Sequence, residues 1–129
     1  MTDARDELLD LTKRLLDSIS SGDWEVYVSL CDPALTCFEP ETKGHLVEGM
    51  EFHRFYFENT HGKSVRAETV VEPRVDLLGE DVALVCYVRL VQKKDADGKD
   101  VTDRFQETRV WKKEADGWKH VHFHRSREV

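Results

Sequence analysis

Three arginines are the residues best suited to chemistry, because each lies on a largely apolar face of a predicted strand. Arg89, Arg109 and Arg125 belong to three different strands in the second half of the chain. A guanidinium group buried on such a face is costly unless it is paired. The partner is either an internal acid, for which Glu107 is the candidate, or a bound carboxylate or phosphate. The neighbours that share these faces are Val85, Tyr87 and Val91; Phe105, Glu107 and Trp111; and Val121 and Phe123.

Two polar residues of a predicted helix can face the same cavity as the arginines. His53 and Tyr56 lie three positions apart and therefore on one side of that helix. Side chains of both types transfer protons in enzymes. The chain has no serine–histidine–aspartate set, P-loop or glycine-rich dinucleotide fingerprint. The residues therefore identify no catalytic constellation, and internal ion pairs remain a slightly favoured alternative to a ligand pocket.

Three histidines alternate near the end of the chain. Their alternation places His120, His122 and His124 on one face of a strand, with Val121, Phe123 and Arg125 on the other. Two histidines separated by one residue can present both imidazoles to a metal. No carboxylate ligand is evident, however, and the other interpretation is a set of surface or interface histidines. We predict neither a metal nor another cofactor.

Hydrophobic spacing predicts three helices ahead of a sheet. Apolar residues recur at helical intervals over residues 3–20. A second helix follows over residues 24–30 and is ended by Pro33. Residues 35–47 have the pattern of a short hairpin, and residues 49–62 that of a third helix.

The rest of the chain has the pattern of four strands. The breaks between them, GED, DADGKD and EADG, are turn sequences of hairpin length, so the strands form an antiparallel meander. Helices followed by a hairpin sheet predict an α+β fold. The predicted strands cover residues 65–78, 82–93, 104–113 and 118–125.

The second of these strands is apolar on both faces. Its alternate positions include Leu84, Cys86, Val88 and Leu90, which lie opposite the face of Arg89. A sheet with one solvated face should instead alternate apolar with polar residues. Either loops of the same domain cover the second face, or another copy of the protein does. Self-association is the favoured interpretation, with these four residues at the interface.

Length and charge set the broad class of the protein. The 129 residues are enough for one domain, residues 1–129. A net charge of −7 argues against a nucleic-acid partner, and no apolar run is long enough to span a membrane. The first residues lack the pattern of a signal peptide. Cys31, Cys37 and Cys86 have no metal or redox spacing and are predicted to be buried free thiols. We expect a cytoplasmic protein.

Four segments carry a family resemblance. They are GDWEVYVSLCDPALTCFEPE, GHLVEGMEFHRFYFEN, EDVALVCYVRL and ETRVWKKEADGWKHVHFHRS. Over about residues 9–126 the chain resembles the association, or hub, domain of calcium/calmodulin-dependent protein kinase II, in the nuclear transport factor 2-like superfamily. The resemblance implies a cone-shaped, strongly curved antiparallel sheet wrapped around an N-terminal helix, with two shorter helices.

The resemblance also implies a function. Hub domains assemble into two-tiered closed rings, so we expect a homo-oligomer of twelve or more subunits with no catalysis of its own. The alternative is a small-molecule-binding protein or an enzyme, such as an isomerase, dehydratase or hydrolase, of the kind that the superfamily fold hosts elsewhere. Arg89, Arg109, Arg125 and His53 match the pocket positions of the family, which implies a small carboxylate ligand of the hydroxybutyrate type. A kinase that carries a related hub is a further expected partner. Calmodulin binding belongs to the family's kinases, and no basic amphipathic segment for it is present.

Two departures from the family qualify these expectations. No kinase domain precedes the hub-like region, and the divergent start MTDARDEL favours a free-standing hub-like protein over a fragment. Animal hubs often carry a tryptophan in the loop after FEN, where this chain has Thr60, His61 and Gly62. Without that tryptophan, we do not expect an aromatic side chain to gate the pocket, and the preferred ligand can differ from that of animal hubs.

Overall fold

The computed structural model describes residues 3–59 and 66–127. The helices are α1 (Ala4–Ser21), α2 (Trp24–Leu30), a 3-10 turn (Pro40–Thr42) and α3 (Glu51–Asn59). The strands are β1 (Cys31–Phe38), β2 (Val47–Glu48), β3 (Arg66–Leu77), β4 (Val82–Lys94), β5 (Asp100–Glu114) and β6 (Gly117–Arg127). None of the helices in the described ranges is long and apolar enough to cross a membrane.

The strands form one six-stranded sheet in the order β2-β1-β6-β5-β4-β3. The meander from β3 to β6 is antiparallel, as the turn sequences predicted. The α+β class is confirmed, but the sheet is mixed, because β1 pairs in parallel with β6. Local turn chemistry could not predict this pairing, since the two strands are joined through almost the whole chain.

The helices cover the inner face of the sheet. Asp3 caps α1 by accepting a hydrogen bond from the backbone N–H of Arg5, and Gly22 ends the helix at a φ of 73°. Apolar side chains of α1 and α2 are buried with large residues of the sheet and form one core. The fully or almost fully buried members include Leu8, Leu15, Tyr27, Trp111 and Phe123.

Most predicted boundaries agree with the structure to within a few residues. α2 has the predicted range, but it ends at Leu30 before Pro33, which lies inside β1. The predicted hairpin of residues 35–47 is the antiparallel pair β1 and β2. The predicted end of the third helix, the start of the strand at Val65, and Thr60, His61 and Gly62 lie outside the described residues.

Two irregularities interrupt the sheet. In β3 the register shifts between Val71 and Arg74, where Glu72 has a φ of 50°. In β6 the register shifts at Val121, because Val110 pairs with His122 whereas Trp111 pairs with His120. A bulge inserts one extra residue into the strand. Two side chains that lie two positions apart across it therefore point to opposite faces of the sheet, whereas in a regular strand they point to the same face.

Candidate functional site

One cavity of about 350 Å³ collects all five predicted pocket residues. Strands β4, β5 and β6 contribute Arg89, Arg109 and Arg125, and helix α3 contributes His53 and Tyr56. The alternation of buried and partly buried residues along β4 and β5 directs the first two arginines inward. Their common location is a structural finding, and their role in binding a ligand remains a prediction. The rest of the lining is Ile19, Tyr27, Glu39, Glu41, Phe57 and Phe123.

Arg109 is the most completely paired of the three arginines. Its Nε donates to the Tyr87 hydroxyl at 2.8 Å, and its second terminal nitrogen donates to Glu107 Oε1 at 2.9 Å. The Tyr87 hydroxyl in turn donates to the same carboxylate at 2.6 Å. The guanidinium also lies 4.6 Å from the ring centre of Phe123. These contacts offset the cost of burying a charge, as expected for a guanidinium group that is 1% exposed.

Glu107 stays ionised in this environment. Burial raises its pKa, but the charges of Arg109 and Arg89 and the hydrogen bond from Tyr87 outweigh burial and hold the pKa below its ordinary value. The internal acid that the sequence offered as a partner is therefore present. A carboxylate with a lowered pKa between two cations is a weak general base.

Arg89 is less well satisfied than Arg109. Its Nε lies 3.1 Å from Glu107 Oε2, and one terminal nitrogen lies 3.4 Å from Glu68 Oε1. Neither contact has hydrogen-bond geometry, so both nitrogens are buried without a hydrogen-bond partner among the described residues. Arg89 is therefore held by the charges of Glu107 and Glu68 without a hydrogen bond from either of these nitrogens.

Arg125 is paired with two acids that the sequence analysis did not select. One terminal nitrogen donates to Glu39 Oε1 at 3.0 Å and to Glu41 Oε1 at 2.6 Å. Glu39 is nearly buried, whereas the side chain of Glu41 is 36% exposed. The pair flanks Pro40 in the turn after β1, and only the parallel pairing of β1 with β6 brings it to Arg125. The available signal was the acidic sequence FEPE beside an apolar strand.

His53 lies at the inner end of the cavity, 5% exposed. Burial, reinforced by the charge of Arg109, lowers its pKa to about 4. The imidazole is therefore neutral near pH 7 and has a lone pair available on one ring nitrogen. Cys37 and Glu39 are its polar neighbours, at 3.7 and 3.6 Å.

The three alternating histidines do not share a face. The bulge at Val121 turns His120 into the core, where it contacts Cys31 at 3.5 Å and Arg109 at 3.3 Å. His122 contacts Thr36 on the opposite face, and His124 is exposed. The prediction that one face carries all three was wrong, because it assumed an unbroken period of two. Their separation removes the basis for a histidine metal site on β6.

The comparisons with known proteins agree with this fold. The family model of the calcium/calmodulin dependent protein kinase II association domain matches residues 4–129. The chain belongs to this family. It is 50% identical over 124 residues to the Drosophila melanogaster calcium/calmodulin-dependent protein kinase type II alpha chain. The aligned segment covers 95% of this chain but only 23% of that kinase.

Solved structures extend the comparison to the fold. The association domain of C. elegans CaMKII is 47% identical, covers 95% of this chain and 94% of its own, and superposes with a TM-score of 0.89. An NTF2-like protein from Cytophaga hutchinsonii has a TM-score of 0.80 at 22% identity, covering 98% of this chain and 100% of its own. The second similarity shows the fold alone. This association domain therefore has the nuclear transport factor 2-like fold that the resemblance implied.

Buried His120 predicts a specific loss of stability in acid. Burial and the charge of Arg109, with smaller effects of His53 and His122, hold its pKa well below the ordinary value; the neutral Cys31 thiol also faces it. Below about pH 6.5 the unfolded chain binds a proton that the folded chain does not. Stability should therefore fall with decreasing pH, by at most about 1.4 kcal/mol per pH unit from this group.

Thermal melting between pH 7 and pH 5 checks this prediction. The decrease in melting temperature should be smaller in His120→Gln than in the unsubstituted chain. His45→Gln is the matched control, because His45 is exposed in the loop after the 3-10 turn. Equal pH dependence in all three proteins would show that His120 does not titrate on unfolding.

Proposed function

We propose that this association domain is a homo-oligomerisation scaffold that assembles into a two-tiered ring of twelve or more subunits. The outer face of β4 is the observation that carries the proposal. Leu84, Cys86, Val88 and Leu90 are only partly buried, whereas their neighbours on the inner face are buried in the core. A partly exposed apolar strand in a sheet with a filled inner face favours burial against another subunit.

The chemistry around this strand supports an interface. Val71 of β3 pairs with Val88, and Val110 of β5 pairs with Leu84, so the apolar surface extends across three strands. A groove of about 610 Å³ on this side is lined by partly buried apolar residues and by exposed charged residues, which we take as its rim. This arrangement resembles the apolar centre and polar rim of protein interfaces. The rim residues are Glu72, Arg74 and Arg104.

A second function, binding of a small carboxylate, is proposed for the cavity. Arg89, Arg109 and Arg125 all line the cavity, and guanidinium groups recognise carboxylates well. At the mouth, the half-exposed Glu41 holds Arg125. A ligand carboxylate can replace the Glu41 carboxylate on Arg125 at little cost, because the displaced side chain returns to water. This exchange keeps every buried arginine paired.

We propose no catalytic role for this domain. Glu107 is the acid closest to the arginines, and two ion pairs and a hydrogen bond hold it in its ionised form. The aligned relative is a kinase, so a kinase with a related association domain is a proposed partner in the same ring. The buried thiols of Cys31 and Cys37 fit a reducing compartment, and we propose the cytoplasm.

Native mass spectrometry tests the scaffold proposal. The chain at micromolar concentration should give a closed assembly of at least twelve subunits. Val88→Lys or Leu84→Glu should release smaller species, because a buried charge without a partner strongly destabilises an interface. A monomer or a simple dimer from the unsubstituted chain would refute the proposal.

A matched control separates the interface from a general effect of added charge. Val28→Lys introduces the same group at an exposed valine of α2, away from the outer face of the sheet. It should leave the assembly intact. If Val88→Lys also stays fully assembled, another element covers the outer face of β4.

Ligand-dependent melting tests the carboxylate proposal. Butyrate and 4-hydroxybutyrate should raise the melting temperature, because binding to the folded state stabilises it by linkage. Butyramide is the matched control for shape without charge and should give no shift. Arg125→Ala should abolish the shift relative to its own melting temperature, because it removes the guanidinium that the ligand carboxylate would bind. Arg74→Ala, which changes an exposed arginine, should retain the shift. No response to any carboxylate would leave the arginines as internal ion pairs alone.

A further inference from the structure

A cluster of three ligand-type side chains lies against the inner end of the cavity. The Cys37 sulfur is 3.7 Å from His53 Nε2 and 3.7 Å from Glu39 Oε2. The three ligand atoms all lie within 4.8 Å of one another. Cys37 and His53 are buried and Glu39 is nearly so, which distinguishes this cluster from the exposed acidic groups common on protein surfaces.

The distances match the edges of a tetrahedral metal site. Bond lengths of about 2.3 Å from zinc to sulfur and about 2.0 Å to nitrogen or oxygen place two ligand atoms about 3.5–3.6 Å apart. The sulfur–nitrogen and sulfur–oxygen separations of 3.7 Å are within a few tenths of an ångström of that value. The three ligand atoms lie within 4.8 Å of one another, and Glu39 Oε2 makes its 3.6 Å contact with the other ring nitrogen, His53 Nδ1. The imidazole and the carboxylate must therefore both move for the three ligands to close around one ion.

The surrounding residues orient the carboxylate for this role. Arg125 binds Glu39 Oε1 at 3.0 Å, which leaves Oε2 directed toward Cys37 and His53. Partners of this kind fix the orientation of metal ligands. Strand β1 and the residue after it supply Cys37 and Glu39, and α3 supplies His53, so two elements hold the cluster together.

We propose that Cys37, Glu39 and His53 bind one zinc ion with three protein ligands and one open coordination position. Glu39 and His53 line the cavity and Cys37 lies behind them, so the open position faces the cavity. A mixture of thiolate, imidazole and carboxylate suits zinc among the biological divalent cations.

The charges of the proposed ligands balance that of a zinc ion. On binding, the Cys37 thiol loses its proton to solvent, and the thiolate and the Glu39 carboxylate together neutralise the two charges of zinc. His53 binds through its neutral Nε2. Because the bound site has no net charge, Arg109 and Arg125 do not repel it strongly, and they favour an anion such as hydroxide or a carboxylate as the fourth ligand.

Cobalt(II) is a spectroscopic probe for this site. The full chain without an affinity tag, treated with a chelator and then dialysed, should bind one Co²⁺ per subunit with a thiolate-to-cobalt charge-transfer absorption, and Zn²⁺ should remove that absorption. Cys37→Ser should lack the band, whereas Cys86→Ser, the matched control on the outer face, should keep it. His53→Gln and Glu39→Gln should weaken binding at least tenfold.

The outcomes distinguish this site from others in the chain. Cys31 lies 3.5 Å from His120 and forms a second buried thiol–imidazole pair. Loss of the band in Cys31→Ser together with its retention in Cys37→Ser would overturn the proposal. So would the absence of a charge-transfer band in the unsubstituted chain, a result that does not depend on any variant folding. Circular dichroism confirms folding of each variant, and the test uses no carboxylate ligand.

Discussion

The ion pairs of Glu107 are the interaction on which the inner face of the sheet depends. Its side chain is fully buried, and it contacts Arg109 at 2.9 Å, Arg89 at 3.1 Å and the Tyr87 hydroxyl at 2.6 Å. Two guanidinium groups could not remain in this core without it, because the cost of burying unpaired charges exceeds what packing returns. These charged side chains occupy a region between the helices and the sheet that apolar residues would otherwise fill. The cavity at this position is therefore polar.

The register between β4 and β5 brings the residues of this network together on the inner face of the sheet. Tyr87 pairs with Glu107, and Val85 with Arg109, over a β4–β5 ladder without a register shift. A slip of β4 by one residue would turn Tyr87 and Arg89 to the outer face, away from Glu107, and bring Leu84, Cys86 and Val88 inward. Strand β4 therefore carries Tyr87 and Arg89 on its inner face and the partly buried Leu84, Cys86 and Val88 on its outer face. The two proposed functions can then change independently, since no residue serves both.

Much of this arrangement could be predicted from the sequence, because successive side chains of a strand point to opposite faces of the sheet. It placed Arg89, Arg109 and Glu107 on one face, and turn chemistry correctly predicted the hairpins around them. The same rule failed for His120, because the bulge at Val121 leaves no clear sign in the local sequence. Glu39 and Glu41 were missed for a different reason: they reach Arg125 only through the parallel pairing of β1 with β6. The Cys37, Glu39 and His53 cluster likewise depends on how α3 packs against β1. The spacing of residues along the sequence could not predict contacts between residues that are far apart in the chain.

The free energy of unfolding of Glu107→Gln, measured by urea denaturation at fixed protein concentration, tests the central role of this carboxylate. The substitution keeps the shape and removes the charge, so Arg89 and Arg109 lose their common partner inside the core. The account predicts a loss of about 3–5 kcal/mol, against a change within about 0.5 kcal/mol for Glu80→Gln at an exposed turn. Equal stability of the two variants would contradict it, because the arginines would then be tolerated in the core without Glu107.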